Sequence, residues 1–197
     1  MNPTPEAVAA AAEAAGLPLP AAAAEPLARY LAELDRWSRR MNLTAVPSGE
    51  RLHRLLLPAL ALGPLPCFQE ADAFADLGSG NGIPGVPLQL AWPRGRCCLV
   101  EARARRAAFL RHLARTLPLT ATTVVAARAE THPWPPEERV PLVVARAVAP
   151  PRRLLPWAEA LLAPGGTVAL WGPPEAVPGW RSEAAGPVTL YRRPCFT

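Results

Sequence analysis

Apolar residues recur with the period of an α-helix through the first third of the chain. Residues 22–40 carry one apolar stripe at spacings of three and four, which is typical of an amphipathic helix. The stripe consists of Leu27, Tyr30, Leu31, Leu34 and Trp37. Residues 5–16 and 47–62 are also predicted to be helical, and Pro58 is expected to bend or break the second of these helices.

From residue 73 onward, short apolar runs alternate with amphipathic stretches. The predicted strands are residues 73–77, 96–102, 121–130, 140–148, 167–172 and 187–194. The predicted helices are residues 86–92, 103–119 and 151–166, the last of which ends at a Pro-Gly-Gly stop. This alternation predicts an α/β fold with a mainly parallel sheet and helices on both faces.

Two units are expected from this change of pattern. Residues 1–70 would form an N-terminal helical extension packed on the core, and residues 71–197 would form the core itself. Because the chain stops soon after one final strand, the last hairpin of the sheet is expected to be incomplete.

Composition narrows the class of protein. Half of the 197 residues are hydrophobic, which is enough for a substantial core, but no run of about 18 apolar residues predicts a membrane span. The N-terminus has no basic stretch and carries Glu6 and Glu13, so it does not resemble a signal peptide. We therefore expect a cytoplasmic protein.

The charge is modestly basic and unevenly distributed. All 21 basic residues are arginine, against 16 acidic residues, which leaves a net charge of +5. Residues 1–60 are balanced, and the excess of arginine lies beyond them. That excess favours a polyanionic partner, although a solvated surface explains the charge equally well.

The four cysteines are Cys67, Cys97, Cys98 and Cys195. They form no C-x-x-C pair and have no histidine at ligand spacing, so no metal site is expected. Cys97 and Cys98 are adjacent in a predicted strand and should point to opposite faces of it. Free, buried thiols are the expected state.

A glycine-rich loop follows the first predicted strand, in the stretch ADLGSGNGIPGVPL at residues 75–88. Gly78, Gly80 and Gly82 allow positive φ angles and close approach of a ligand to the backbone. The next predicted strand leads to Glu101, whose carboxylate can accept both hydroxyls of a ribose. Loop and acid together predict a nucleoside site beyond the carboxyl ends of the strands.

The kind of nucleoside follows from the details of the loop. Pro84 removes a backbone N–H and Gly85 delays the helix, so the loop is poorly suited to a pyrophosphate. Asp76 would repel phosphate but suits a cationic ligand. S-adenosylmethionine is a nucleoside with a sulfonium, an ammonium and no phosphate, and D-x-G-x-G is a loop form common to methyltransferases that use it.

Several motifs together make a more specific match. They are RWSRRMNLTAV at residues 36–46, DLGSGNGIPGVPL at 76–88, EARARRAAFLRHL at 101–113, RAE at 128–130 and ARA at 145–147. In order and spacing, over roughly residues 25–172, the chain resembles the RsmG or GidB family of bacterial small-subunit ribosomal RNA guanine-N7 methyltransferases. The resemblance implies a Rossmann-like class I S-adenosylmethionine-dependent methyltransferase fold preceded by an N-terminal helical segment.

The same resemblance implies a set of cofactor-binding residues. They are Gly78, Gly80, Ile83, Glu101, Ala129, Glu130 and Arg146. Glu101 would hold the ribose, Ala129 and Glu130 would lie along the adenine edge, and Arg146 would stand between cofactor and RNA. Each has a plainer alternative: Ile83 as a core residue and Glu130 as a helix cap, for example. Arg146 interrupts an apolar run and needs a polar partner in either case.

Methylation at guanine N7 requires few catalytic groups. N7 has a free lone pair in the neutral base, so no proton must leave first and no general base is expected. His53, His112 and His132 then need no catalytic role, and His112 is expected on a helix surface.

The arginines that can hold RNA phosphates, or simply face solvent, are Arg39, Arg40, Arg103, Arg105, Arg106, Arg111 and Arg115. We expect a monomer whose partner is ribosomal RNA or the small ribosomal subunit. Neither a membrane nor a metal is expected to bind it.

The sequence departs from the family pattern at positions presumed to face RNA. Where the family has R-H-(I/L)-(L/V)-D-S, Leu55, Pro58 and Ala59 stand at the His, Asp and Ser places. Trp171 replaces the lysine of A-L-K-G. The alternatives are therefore a methyltransferase with another RNA substrate, a cofactor- or RNA-binding relative without turnover, and a nicotinamide-dependent oxidoreductase, against which Asp76 and the prolines of the loop argue.

Overall fold

The computed structural model describes residues 2–93 and 95–194, so Cys195 lies outside the described residues. The α-helices are α1 (Pro5–Ala14), α2 (Ala24–Ser38), α3 (Leu57–Leu60), α4 (Pro66–Gln69), α5 (Gly85–Ala91), α6 (Ala104–Thr116) and α7 (Pro151–Leu161). The strands are β1 (Ala73–Leu77), β2 (Arg96–Val100), β3 (Thr122–Val125), β4 (Val140–Ala145), β5 (Leu162–Trp171), β6 (Arg181–Ala185) and β7 (Val188–Arg192). None of the helices in the described part of the chain is long and apolar enough to cross a bilayer.

Within the described residues, the strands form one seven-stranded sheet in the order β3-β2-β1-β4-β5-β7-β6. The first five are parallel, and β7 pairs antiparallel with both β5 and β6. The α/β architecture with a mainly parallel sheet is thus confirmed. The order reverses between β1 and β4, so a crevice opens at their carboxyl ends, where ligands of such sheets bind.

Two expectations about the end of the chain are wrong. The last hairpin is complete, because β6 joins β7 through a turn at Gly186 and β7 continues the sheet beside β5. The helix expected over 151–166 stops at Leu161, and the Pro-Gly-Gly segment belongs to β5. A register shift between Val140 and Leu142 on β4 accommodates this irregular start of the strand.

Both faces of the sheet are covered, each by its own hydrophobic cluster. One cluster joins Leu27 and Tyr30 of α2 to Phe74 of β1 and Leu110 of α6, so the N-terminal helices share a core with the sheet. The other contains α7 residues such as Leu155. Cys97 belongs to the first cluster and Cys98 packs against the second, on opposite faces as expected. The division of the chain at residue 70 stays a prediction.

The segment before α3 is helical but irregular. A 3₁₀ turn at Ser48–Glu50 leads into a π-helical stretch at Leu52–Leu56, and α3 follows directly. Pro58 stands in the first turn of α3, where its missing N–H needs no partner. The proline expected to bend or break one long helix therefore lies where one helix type gives way to another.

His112 is not a plain surface residue. Its Nε2 lies 2.6 Å from Oε2 of Glu33, and its ring centroid lies 5.0 Å from that of Trp37. The side chain is half-buried and connects α6 with α2. The expectation failed because its partner is 79 residues away in sequence.

Candidate functional site

The glycine loop between β1 and α5 is held against the end of β2 by its own backbone. Gly78 and Ser79 both donate N–H bonds to the Val100 carbonyl, at 2.8 and 3.0 Å. Gly78 has a φ of +70°, and a Cβ there would lie 2.7 Å from Val148 Cγ2. Glycine is therefore required at residue 78 both by its conformation and by the close approach of the loop that follows β4.

Glu101 fastens this loop from the neighbouring strand. Its Oε2 accepts the Gly80 N–H at 2.9 Å, and its Oε1 accepts the Arg103 N–H at 2.7 Å. The residue is only 5% exposed. Each carboxylate oxygen retains a further lone pair, so Glu101 can hold the loop and still accept bonds from a ligand in the adjoining cleft.

Asp76 lies beneath the loop at the end of β1 and is completely buried. Its Oδ2 accepts the Gly85 N–H at 2.9 Å, whereas Oδ1 has no hydrogen-bond partner among the described residues. Burial, and to a smaller extent the nearby charge of Glu101, raise the pKa of this carboxyl to about 7, while the bond from Gly85 opposes the rise. A half-satisfied buried carboxylate of this kind marks a functional position.

Tyr30 supports the loop from the opposite side. This fully buried residue of α2 donates its hydroxyl to the Asn81 carbonyl at 2.9 Å. The sequence indicated only that Tyr30 belongs to an apolar stripe, because its polar contact joins residues that are 51 positions apart. The N-terminal helices therefore brace the glycine loop as well as covering the sheet.

A cleft of about 410 Å³ opens beside the loop, at the carboxyl ends of β1, β2 and β4. Of the residues that sequence predicted, Gly78, Glu101, Ala129 and Glu130 line it. Glu130 pairs there with Arg128 at 3.2 Å. The remaining residues that line it are Leu77, Val100, Ala102, Arg103, Arg106, Ala127, Arg128, Ala147, Val148 and Trp157. Trp157 and Val148 carried no sequence signal, since both come from later segments that folding brings to the cleft.

Gly80, Ile83 and Arg146 do not line this cleft. Gly80 has its N–H bound to Glu101, and Ile83 is buried in the core beneath the loop. Arg146 donates to the carbonyls of Arg54 and Leu55, at 2.9 and 3.0 Å, and so ties the end of β4 to the π-helical stretch. The polar partner that Arg146 was expected to need is thus backbone of the N-terminal segment.

A second, larger cleft of about 670 Å³ lies next to the first and is basic. Its walls are the Met41–Ala45 segment and the start of α6 with Arg103, Arg105 and Arg106. Arg106 lines both clefts and lies 3.4 Å from the Asn42 carbonyl. Three arginines next to a nucleoside-sized cleft form a surface suited to a polyanion.

The strand order, the loop and the cleft define a Rossmann-like class I methyltransferase fold. A methyltransferase from Geobacter sulfurreducens has a similar fold, with a TM-score of 0.58, 13% identity, and coverage of 84% of this chain and 90% of that one.

Comparison of sequences identifies the family. The family model described as rRNA small subunit methyltransferase G matches residues 23–172. A protein of that name from Nitratidesulfovibrio vulgaris (strain DP4) is 40% identical over 180 residues, covering 87% of this chain and 80% of its own length. One from Roseiflexus sp. (strain RS-1) is 43% identical over 145 residues, covering 70% and 60%. The chain belongs to this family.

Two of the positions that depart from the family pattern touch each other. The Trp171 Nε1–H donates to the Pro58 carbonyl at 2.6 Å, across 113 residues of sequence. The acceptor is a backbone carbonyl, so this link between β5 and α3 depends on the Trp171 indole and not on the proline side chain.

Replacing Trp171 by phenylalanine should lower the free energy of unfolding by about 1–2 kcal/mol, because it removes the donor of the hydrogen bond that joins β5 to α3. Urea denaturation would measure this change. Trp37→Phe is a matched control, because the Trp37 Nε1 is buried without a partner among the described residues and its loss removes no hydrogen bond. Equal destabilisation by both variants would contradict a specific role for the Trp171 N–H.

Proposed function

We propose that this chain transfers the methyl group of S-adenosylmethionine to N7 of a guanine in small-subunit ribosomal RNA. The observation that carries the proposal is the position of Glu101 at the edge of a nucleoside-sized cleft, where its Oε2 holds the glycine loop and its Oε1 accepts the Arg103 N–H. The two relatives described above are named ribosomal RNA small subunit methyltransferase G.

The residues around the cleft fit S-adenosylmethionine. Glu101 is an acceptor-only group, as a ribose diol requires, and Gly78 leaves the backbone open where a Cβ would clash. Asp76 lies beneath the loop with one unsatisfied oxygen and is negative when ionised, which favours a cation over a phosphate in the neighbouring cleft. Backbone and side-chain atoms of residues 127–130 form the opposite wall, next to Trp157. The cofactor supplies an activated methyl group on a cationic sulfur.

The protein's part in such a reaction is mainly alignment. Guanine N7 needs no deprotonation, so the chain has to orient the base and exclude water rather than remove a proton. The glycine loop is fixed by Glu101, Asp76 and Tyr30 and is therefore pre-organised.

The RNA would approach over the basic cleft. This cleft is lined by Arg103, Arg105 and Arg106 together with the Asn42–Thr44 motif. Arg106 also reaches the cleft of about 410 Å³ beside the glycine loop, which we call the cofactor cleft. Phosphate contacts of this kind position an RNA without reading its sequence. The target guanine has to be unstacked or single-stranded, because the major groove of A-form RNA is too narrow for side chains to read.

A rescue experiment tests the proposal. The chain would be expressed in bacteria that lack their own enzyme of this family, and N7-methylguanosine in the small-subunit RNA would be quantified by mass spectrometry. We expect the wild-type chain to restore the modification and Gly78→Val to abolish it, since the added side chain meets Val148 and the φ of +70° disfavours valine.

Gly49→Ala provides the matched control, because an added Cβ there meets no atom within 4 Å. This variant should restore the modification as the wild-type chain does. If the wild-type chain binds S-adenosylmethionine in vitro yet restores no methylation, the proposed reaction is wrong and a binding role or another RNA substrate replaces it.

A further inference from the structure

A third cleft, of about 380 Å³, lies on the other side of the loop that follows β4. Ala147 and Val148 line both this cleft and the cofactor cleft, so the two cavities adjoin at one shared boundary. Val148 is 38% exposed, unusually high for a large hydrophobic residue among those described. Ligands in the two clefts would therefore approach each other beside these two residues.

The backbone at the boundary between the two clefts is strained. Ala147 has a φ of +55°, which is costly for a residue with a Cβ. Strained backbone of this kind persists where the surrounding structure enforces it, and it is concentrated at binding sites. Here Arg146, immediately before the strained residue, is held by two carbonyls of the N-terminal segment.

The lining of the third cleft is apolar apart from one charge. Leu154, Leu170, Trp171 and alanine and proline side chains form most of it, and Glu175 is the one ionisable residue among those that line it. No ion pair in the described part of the chain involves the Glu175 carboxylate, which is half-buried. An apolar pocket with a single polar group is a typical small-ligand site, and its volume lies in the usual range.

The backbone of Glu175 is held in place by a hydrogen bond. Its N–H donates to the hydroxyl of Tyr191, a fully buried residue of β7, at 3.0 Å. The same loop is tied to β7 by the bond from Thr189 Oγ1 to the Gly172 carbonyl at 2.6 Å. The terminal hairpin therefore fixes the far wall of the cleft.

Resting on the proposed function, we infer that this third cleft receives the target guanine and that Glu175 binds its Watson–Crick edge. A carboxylate offers two adjacent acceptors, which match the adjacent N1–H and N2–H donors of guanine. Adenine, cytosine and uracil have no two adjacent donor positions on that edge, so none of them makes both bonds. Flipped bases are commonly read in this way, between apolar walls.

The orientation also suits the chemistry. When the Watson–Crick edge faces Glu175, N7 lies on the opposite part of the purine and has to meet the methyl group directly at the boundary with the cofactor cleft. As the N7 lone pair forms the new N–C bond, the electron pair of the broken C–S bond stays on sulfur and the positive charge passes to the purine. The N1–H and N2–H then become stronger donors, so the carboxylate binds the transition state more tightly than the substrate.

Kinetics on small subunits from a strain lacking the modification test this inference. Glu175→Gln keeps the shape but replaces one acceptor by a donor, so we expect kcat to fall at least about tenfold. The affinity for S-adenosylmethionine, measured by calorimetry, and the melting temperature should stay unchanged. Glu137→Gln is the control, since Glu137 is exposed and precedes β4 at the opposite edge of the sheet.

The outcomes separate this inference from the proposed function. If the wild-type chain methylates the subunits and Glu175→Gln retains kcat within about twofold, the guanine is bound elsewhere and only the inference falls. A parallel loss of S-adenosylmethionine affinity in Glu175→Gln would also overturn it, because the residue would then act through the cofactor cleft. Absence of methylation by the wild-type chain overturns both.

Discussion

Replacing Glu101 by glutamine is expected to weaken the binding of S-adenosylmethionine about a hundredfold, which corresponds to about 3 kcal/mol. The carboxylate does two things at once. It accepts the N–H groups of Gly80 and Arg103, and it presents its remaining lone pairs to the cleft. The amide of glutamine would place its NH₂ against one of those N–H donors, so the glycine loop and the ribose site would be disturbed together.

Calorimetric titration with S-adenosylmethionine measures this effect without requiring an RNA substrate. Glu70→Gln is the matched control, because Glu70 is exposed and precedes β1 at the other end of the strands. It should leave the affinity unchanged. An affinity for Glu101→Gln within about threefold of the wild type would show that the carboxylate holds only the loop and that the cofactor lies elsewhere.

Replacing Asp76 by asparagine should change how stability depends on pH. The folded-state pKa of this carboxyl is raised from 3.8 to about 7, mainly by burial. The folded protein therefore holds the Asp76 proton more tightly than the unfolded chain does. Its contribution to stability is present below the unfolded pKa and is lost as the pH rises towards 7 and beyond.

Asparagine has no such titration, and its amide oxygen can still accept the Gly85 N–H. We expect the stability of Asp76→Asn relative to the wild type to improve by about 3 kcal/mol between about pH 5 and about pH 8. Urea unfolding of both proteins at the two pH values measures it. Asp72→Asn, at an exposed carboxylate shortly before β1, should show a far smaller change. A pH-independent difference for Asp76→Asn would mean that Asp76 is ionised in the fold throughout this range.

Replacing Asp76 by asparagine should also affect the binding of a cationic ligand. A cationic ligand in the neighbouring cleft favours the ionised form of Asp76, because opposite charges attract strongly where water is excluded. The raised pKa means that the free protein near neutral pH holds a mixture of both forms. Binding of a cation and ionisation of Asp76 are therefore linked.

The parts of the site that sequence predicted are those that lie close together along the chain. Asp76 and Gly78 belong to one loop, and Glu101 follows the neighbouring parallel strand, so alternation of strands and helices places them at one edge of the sheet. Ala129 and Glu130 follow β3, the next strand of the same sheet, and line the cleft for the same reason.

Contacts between distant segments could not be predicted in this way. The partners of Arg146, Tyr30 and Trp171 lie between 51 and 113 residues away, and no periodicity records them. The departures at Pro58 and Trp171 stand far apart in the sequence, and only the fold shows that the Trp171 indole bonds to the backbone at Pro58.

The amino-acid sequence by itself determined the α/β class, the strand that precedes the glycine loop, the acid that holds that loop and the family to which the chain belongs. These depend on local spacing and on short motifs, which hydrophobic periodicity and backbone chemistry specify directly. Only the tertiary structure decided that the terminal hairpin is complete and holds the Glu175 backbone, and that Ala147 and Val148 line two adjoining clefts. Those features depend on which strands lie side by side, and side-by-side placement is fixed by packing of the whole sheet rather than by any one segment.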